Sequence, residues 1–365
     1  MGHMSGGKEE AYQALAERLS RFPVGAVINE TFMDILKLLY TEKEASVGSL
    51  FPIRPRPFEE ILELTGMPAR ELSILLNSMA DKGLVVDVPR RDTTYYMLSP
   101  VVVGFFEYTM MRTDRADLKE LTSLFDKYFH DPRVAEEIFG AGTKMFRTLI
   151  YEQYIPELIH TEVLNYEKAE QVILDSGGGG LSICACRHKS LHLGNPCSYP
   201  MEDICTSLSR PSEWLVRRGF ARKASTDELL KNLERSYKLG LVLTCDNVID
   251  EPAYICHCCG CCCGVLKSIT EYNVQSIQPS NFIPEIDPEL CLSCDACIDA
   301  CHVKALSSSE AAQPELNREK CIGCGVCASV CPAEALQMVQ RESIHVPPEN
   351  KIAQMINIAL ERGRY

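Results

Sequence analysis

CLSCDACIDAC at residues 291–301 and CIGCGVCASVCP at residues 321–332 each contain four cysteines in the spacing C-x2-C-x2-C-x3-C. Three thiolates on a tight loop can bind three corners of one iron–sulfur cubane, while the fourth leaves on the following helix and reaches a second cubane. The repeated spacing therefore predicts two [4Fe-4S] clusters that exchange one ligand each. Zinc is the alternative metal for such thiols.

Together the two motifs resemble the bacterial two-[4Fe-4S] ferredoxins over residues 282–340. The resemblance implies two ligand sets: Cys291, Cys294, Cys297 and Cys331 for cluster 1, and Cys321, Cys324, Cys327 and Cys301 for cluster 2. His302 occupies the position where those ferredoxins usually have proline. Because proline is not a ligand there, we expect ligation to be intact and the reduction potential to shift.

All nineteen cysteines lie between Cys184 and Cys331, and eleven of them precede the two motifs. Ten of these eleven form two further groups: Cys184, Cys186, Cys197 and Cys205, followed by Cys256, Cys258, Cys259, Cys261, Cys262 and Cys263. The second group belongs to the stretch ICHCCGCCCG at residues 255–264. On a helical turn, pairs three residues apart could meet, namely Cys256 with Cys259, Cys258 with Cys261, and Cys259 with Cys262. We therefore expect thiols on two sides of this stretch, one side joining the Cys184 group.

These ten thiols predict one or two additional iron–sulfur clusters. A zinc site and redox-active thiols are the alternatives, whereas disulfides do not suit a reducing compartment. His188, His192 and His257 lie among the cysteines, and we expect them to hydrogen-bond near the metal rather than to bind it. Cys245 lies in an apolar run, which predicts a small buried residue.

Residues 28–102 resemble a winged-helix domain. They contain a helical pattern, a helix–turn–helix around Gly66, and the hairpin pattern LVVDVPRRDTTYYMLSP. Arg70 and Lys82 of the second helix are balanced by Glu71 and Asp81. DNA binding depends on phosphate contacts by basic side chains, so this helix favours a structural or protein-binding role.

The predicted fold class is α+β, mainly α. Residues 1–27 contain MGHMSGG, expected to be an expression remnant, and an N-terminal helix. The remaining predicted units are a helical region at 103–176, a cysteine-rich metal-binding domain at 177–281, the ferredoxin domain at 282–340 and a tail helix at 341–365. Gly177–Gly180 predict a flexible connection, and Ser225 to Glu228 form a capping-box signature for a helix that ends near Gly240.

Composition narrows the expected partners. The 365 residues carry a formal net charge of −13, which argues against nucleic acid as a partner. No run of eighteen apolar residues and no secretory signal is present, so we expect no membrane insertion and a cytoplasmic location. Residues 282–340 contain nine acidic against three basic residues, which predicts docking of a redox partner protein with a basic surface. Homo-oligomerisation is left open.

Almost the whole chain resembles 4Fe-4S binding proteins that join a winged-helix-like region, CxCRH and CxCCxCC segments and a dicluster ferredoxin. The matching stretches are CACRH, HLG, PCSYPMEDIC, ICHCCGCCC and NFIPEID. The resemblance implies an electron-transfer protein or the electron-carrying subunit of a larger oxidoreductase. The alternatives are a reductase with its own catalytic cluster or redox thiols at the Cys184 and Cys256 groups, and an iron–sulfur redox sensor that binds DNA. No catalytic residue is assigned.

Overall fold

The computed structural model describes residues 6–156, 165–309 and 313–364. It is mixed, with 44% of residues in helices and 17% in strands, which agrees with the predicted α+β class. The amino-terminal MGHMS, and residues 157–164 of the predicted helical region, lie outside the described residues. Buried apolar side chains form a continuous core from Tyr12 to Ile358, so the predicted units share one interior.

The first hundred residues form a helical layer beside a small sheet. The helices are α1 (Gly6–Ser20), α2 (Glu30–Leu39), α3 (Glu42–Ser49), α4 (Phe58–Thr65) and α5 (Ala69–Asp81). The strands β1 (Arg56–Pro57), β2 (Val85–Arg90) and β3 (Thr93–Leu98) are antiparallel in the order β1-β3-β2. Gly66 ends α4 in the left-handed conformation, with φ of 62°, where a side chain would be strained.

The region 103–176 is not helical throughout. It contains α6 (Phe106–Met110), α7 (Leu118–Phe129), α8 (Pro132–Phe139) and α9 (Ala169–Ser176). Between α8 and α9 the sequence predicts a helix, but the structure has a strand, β4 (Phe146–Thr148). All three residues of β4 are buried, and pairing with a central strand satisfies backbone groups that no solvent could reach.

A seven-stranded sheet is the centre of the molecule, and the sequence did not predict it. Its order is β10-β4-β8-β9-β6-β5-β7, and only the β10–β4 pair is parallel. Besides β4 the strands are β5 (Gly179–Ser182), β6 (Cys205–Leu208), β7 (Arg222–Ala224), β8 (Val242–Asp246), β9 (Tyr254–Cys258) and β10 (Ile277–Gln278).

The second half of the glycine run is part of this sheet, and its first residue, Gly177, caps α9, so the run is not a flexible connection. Gly179 and Gly180 begin β5, which lies between β6 and β7. A Cβ on Gly179 would be 2.0 Å from the carbonyl oxygen of Ser207 on the neighbouring strand. Glycine is therefore required here for the close approach of two strands, which a loop interpretation does not anticipate.

Four helices flank the cysteine-rich part of the sheet: α10 (Ala185–His192), α11 (Ser209–Arg217), α12 (Thr226–Lys238) and α13 (Gly264–Glu271). The capping box predicted for α12 is confirmed, because Ser225 and Glu228 bond each other's backbone N–H groups. Helix α11 also holds the β2–β3 hairpin. Buried Asp87 of β2 accepts hydrogen bonds from Trp214 at 2.9 Å and from Arg217 at 2.7 Å.

The ferredoxin-like region is built from two short antiparallel strand pairs and two single-turn helices. Strand β11 (Phe282–Ile286) pairs with β14 (Leu336–Gln340), and β12 (Leu306–Ser308) pairs with β13 (Pro314–Leu316). The helices are α14 (Ala296–Asp299) and α15 (Val326–Ser329).

The tail helix α16 (Lys351–Glu361) packs on the rest of the protein. Fully buried Gln354 donates to the carbonyls of Met145 and Asn247, both at 3.1 Å. These bonds tie the chain terminus to the ends of β4 and β8. Among the described residues, no helix has the length and apolar character needed to cross a bilayer.

Candidate metal centres

The eight cysteines of the two motifs lie on and beside α14 and α15. Burial and the charges of Cys331 and Cys291 raise the pKa of Cys297. Burial and the charges of Cys301 and Cys321 raise the pKa of Cys324 to about 12. The charge of each motif's fourth cysteine therefore acts on a cysteine of the other motif.

The two fourth cysteines have matching surroundings. The backbone N–H of Ala305 donates to Sγ of Cys301 at 3.2 Å, and that of Ala335 donates to Sγ of Cys331 at 3.3 Å. Such N–H···S bonds stabilise a thiolate and the cluster it binds. The donor set and its hydrogen bonds thus fit two [4Fe-4S] clusters.

The two ligand sets differ in depth. Cys294 of the first set is exposed, and Cys291 is partly exposed. In the second set, Cys321 and Cys327 are only 7% and 8% exposed. The first set is therefore the more exposed one at Cys291 and Cys294, although its Cys297 is only 6% exposed.

The stretch ICHCCGCCCG is a strand followed by a turn, not a helix. Cys256 and Cys258 lie on β9, where alternate side chains share one face. The predicted helical pairs Cys256 with Cys259 and Cys258 with Cys261 therefore do not describe the arrangement. The thiols nevertheless divide into two groups on two sides of the stretch.

The larger group, called here the six-thiol group, is a ring in which each thiol shifts the pKa of its two neighbours. In ring order its members are Cys184, Cys205, Cys256, Cys258, Cys263 and Cys186. The Sγ atoms of Cys263 and Cys258 are 3.4 Å apart. The ring joins the strands β6 and β9 to the starts of α10 and α13.

Hydrogen bonds within the ring lower the pKa of some of its thiols and raise the pKa of others. Bonds from Cys184 and Cys256 outweigh burial and lower the pKa of Cys205 to about 5. Bonds from Cys256 and Cys263 lower that of Cys258 well below its ordinary value. Hydrogen bonds to these sulfurs raise the pKa of Cys256 and Cys263. Six closely spaced thiolates, three of them buried, would repel each other strongly, so full ionisation requires cations among them, which fits a metal centre.

The smaller group, called here the four-thiol group, consists of Cys197, Cys259, Cys261 and Cys262. Their Sγ atoms all lie within 4.8 Å of one another. Cys197 lies in the segment between α10 and β6. Its position in the sequence groups it with Cys184, but the structure places it with Cys259, Cys261 and Cys262. A hydrogen bond from Cys262, aided by the charge of Arg187, lowers the pKa of Cys259 to about 4.

Arg187 is a site residue that sequence reasoning missed. It is 1% exposed, and its guanidinium donates to the carbonyls of Pro200 at 2.7 Å and His257 at 2.9 Å. Its Nε has no hydrogen-bond partner among the described residues. The charges of Cys184 and Cys259 outweigh burial and raise the pKa of Arg187. A buried cation beside both thiol groups needs anionic partners, which metal-bound thiolates supply.

The three histidines bond to protein groups near the thiols. His188 Nδ1 lies 2.6 Å from the carbonyl of Met110, and His192 Nε2 lies 3.0 Å from His188 Nε2. His257 faces away from its cysteine neighbours on β9, with Nε2 3.1 Å from Thr206 Oγ1. Burial lowers the pKa of His257 to about 3, so its ring is neutral. These contacts support the interpretation that they are not ligands.

Cys245 is fully buried on β8, as its apolar context predicts. Burial raises its pKa to about 12, and it belongs to neither thiol group.

A cavity of about 220 Å³ lies against the six-thiol group. Its lining combines ring cysteines with apolar side chains of α6, α8 and β4, among them Phe106, Ala135 and Phe146. Glu107 also lines it and accepts a hydrogen bond from the N–H of Gly104 at 2.8 Å. Burial raises the pKa of Glu107 to about 8. The thiols thus face a mostly apolar space that contains a carboxyl group.

Comparison with known proteins agrees with the ferredoxin-like region. Residues 284–338 match the family model of the 4Fe-4S dicluster domain. Neither the curated proteins nor the solved structures that were compared with the chain gave a match. The matched domain and the clustered cysteines together indicate an iron–sulfur electron-transfer protein.

Proposed function

We propose that this protein moves electrons between a partner at its surface and metal centres at its two thiol groups. Bound [4Fe-4S] clusters supply one-electron transfer. One contact carries the proposal: His302, which follows the ligand Cys301, bonds the backbone of Gly260 between Cys259 and Cys261. A single hydrogen bond, between His302 and Gly260, therefore connects the second ferredoxin ligand set with the four-thiol group.

The order of burial supports a direction for this transfer. Exposed Cys294 belongs to the first ligand set, whereas buried Cys321 belongs to the second set, to which Cys301 is also assigned. Leu290 and Leu292 beside the first set are 49% and 68% exposed. Exposed apolar side chains within an acidic region offer a docking surface for a redox partner protein with a basic surface.

The proposed cofactors are two [4Fe-4S] clusters at the crossed ligand sets, with further metal at the six-thiol and four-thiol groups. All nineteen cysteines are free. Free thiols in such number support the proposed location in a reducing cytoplasm.

The test is iron and acid-labile sulfide analysis of protein purified without oxygen, followed by EPR during stepwise reduction. We expect more than about eight irons per chain, the content of two cubanes, and signals beyond those of two ferredoxin clusters. About eight irons and no further signal would contradict iron at the six-thiol group.

A reductase is the second candidate, because the cavity adjoins the six-thiol group. A cavity of about 150 Å³ lined by apolar side chains can bind benzene, so 220 Å³ is enough for a small organic substrate. Addition of benzene should alter the EPR spectrum of the reduced protein. Ala135→Phe should abolish the change by filling the space. An unchanged spectrum in the unsubstituted protein would contradict a small-molecule site.

We propose a structural rather than a DNA-binding role for residues 28–102. Arg218 donates to Asn77 at 3.1 Å and to Asp81 at 2.8 Å, both on α5. The same arginine bonds Asp87 of β2 at 2.7 Å. Through these contacts, α5 and the β2–β3 hairpin pack against the cysteine-rich part of the chain. A gel-shift assay at low ionic strength should show no binding, and retarded DNA would contradict this role.

A further inference from the structure

The four-thiol group is more compact than a cluster site requires. Sγ of Cys197 lies 3.7 Å from Sγ of Cys259 and 3.4 Å from that of Cys261. Sγ of Cys261 lies 3.3 Å from that of Cys259 and 3.6 Å from that of Cys262. The two remaining Sγ–Sγ pairs are within 4.8 Å. Four sulfurs thus surround one point.

These separations can be compared with the two kinds of thiolate site. A tetrahedral ion with metal–sulfur bonds of about 2.3 Å places its sulfurs about 3.8 Å apart. In a cubane, each thiolate binds a different iron, so the four-iron core separates the thiolates more widely. The observed contacts of 3.3–3.7 Å leave room for one ion and no core.

We propose that Cys197, Cys259, Cys261 and Cys262 bind a single tetrahedral metal ion, zinc or iron, and not an iron–sulfur cluster. Both ions form closed sites with four thiolates. The assignment concerns metal content: iron here would take part in the proposed electron transfer, whereas zinc has no redox chemistry and would confine that transfer to the ferredoxin clusters and the six-thiol group.

The surroundings of the site suit its charge. A divalent ion with four thiolates carries a net charge of −2. Arg187 is buried beside Cys259, with Nε free of hydrogen bonds to the described residues. The ring of Tyr199 lies 5.6 Å from its guanidinium carbon. A buried cation next to a buried anionic site lowers the cost of burying both.

The ion would also fix a junction in the fold. Cys197 belongs to the segment between α10 and β6, whereas the other three ligands belong to the turn between β9 and α13. Gly260 of that turn bonds His302 of the ferredoxin-like region. A metal at this point therefore cross-links three segments that are distant in sequence, as structural zinc sites do.

The experiment compares Cys197→Ala/Cys261→Ala with the unsubstituted protein, both purified without oxygen. These are the two least buried ligands of the group, so their removal disturbs the core least. We expect the double variant to lose one metal atom per chain and no acid-labile sulfide. Elemental analysis then identifies the lost atom as zinc or iron. Cys245→Ala is the matched control and should lose neither.

Loss of several irons with a similar amount of sulfide would overturn the proposal, and so would unchanged metal content. If the double variant does not fold, Cys261→Ala alone keeps three ligands and should release one metal atom to a chromogenic chelator faster than the unsubstituted protein. Release accompanied by sulfide, or at an unchanged rate, would again overturn it. Iron retained at the ferredoxin ligand sets in every variant separates this outcome from failure of the proposed function.

Discussion

His302 and Gly260 form a direct hydrogen bond: Nδ1 of the imidazole accepts the backbone N–H of Gly260 at 3.1 Å. The opposite nitrogen, Nε2, donates to the carbonyl of Gly240 at 2.7 Å. These two bonds fix the neutral tautomer with the proton on Nε2. Proline, usual at this position in the ferredoxins that the region resembles, could make neither bond. The departure at residue 302 thus connects the ferredoxin-like region to the cysteine-rich sheet.

Replacing His302 should separate these two parts without removing a ligand. We expect His302→Pro to keep the full iron content of the ferredoxin ligand sets. It should slow reduction of the redox metal bound at the six-thiol and four-thiol groups. The lost hydrogen bonds should also cost about 2 kcal/mol of stability. Stopped-flow reduction under anaerobic conditions measures the first effect. His302→Asn, which keeps an acceptor near Gly260, is the control, and equal reduction rates in both variants would contradict a role for the junction.

Gly260 should tolerate no side chain. A Cβ at this position would lie 2.5 Å from the carbonyl oxygen of His302, whereas a Cβ on Gly264 meets nothing within 4 Å. Gly260→Ala should therefore destabilise the protein by about 2 kcal/mol, and Gly264→Ala should be nearly neutral. Thermal unfolding of the two variants measures this difference. Equal melting temperatures would show that the turn can relax.

The ferredoxin motifs could be read from the sequence because their spacing is local: each loop binds its cluster through cysteines a few residues apart. The sheet could not be read in this way. Strands β4 and β10 have only three and two residues, which is too short for a periodic pattern. Six cysteines in eight positions also lack the contrast between polar and apolar residues that distinguishes a strand from a helix. The division of the thiols depends on Cys256 and Cys258 lying on the same face of strand β9. That strand forms by pairing with β8 and β6, which lie outside the cysteine stretch.

Arg187 should raise the reduction potential of redox metal bound near it, because a buried positive charge favours the more negative, reduced state. Arg187→Met keeps much of the apolar stem and removes the charge. We expect the reduction potential of redox metal at the six-thiol and four-thiol groups to fall by about 60 mV. For one electron, this corresponds to a tenfold change in equilibrium constant. EPR-monitored titration measures this fall. The ferredoxin signals provide the internal reference, and Arg187→Lys should restore part of the shift. Unchanged potentials at these two groups, with full metal content, would contradict this role.

Asp87 should contribute to stability in a pH-dependent way. Burial raises its pKa, but bonds from Arg218 and Arg217 outweigh burial and lower it from 3.8 to about 2. Because the folded pKa is below the unfolded value, the contribution is fully present above about pH 4 and is lost as the pH falls toward 2. The shift corresponds to about 2 kcal/mol.

The measurement is the difference in free energy of unfolding between the unsubstituted protein and Asp87→Asn, from urea titrations at several pH values. The difference should be constant between pH 7 and 5 and should decrease below about pH 4. Asp114→Asn is a control, since no ion pair or hydrogen bond to its side chain is seen among the described residues. A difference that grows on acidification would have the wrong sign for this mechanism.

Crossed ligation of the two ferredoxin-like clusters predicts a specific pattern of iron loss. If Cys331 binds with Cys291, the double variant Cys331→Ser/Cys291→Ser should lose the same cluster as either single variant, about four irons. If Cys321 belongs to the other cluster, Cys331→Ser/Cys321→Ser should lose about eight. Such non-additivity identifies residues that act as one unit. Iron and sulfide analysis of the five proteins is sufficient. Ligation within each motif would reverse the pattern, since Cys331 and Cys321 would then share one cluster and their double variant would lose only about four irons.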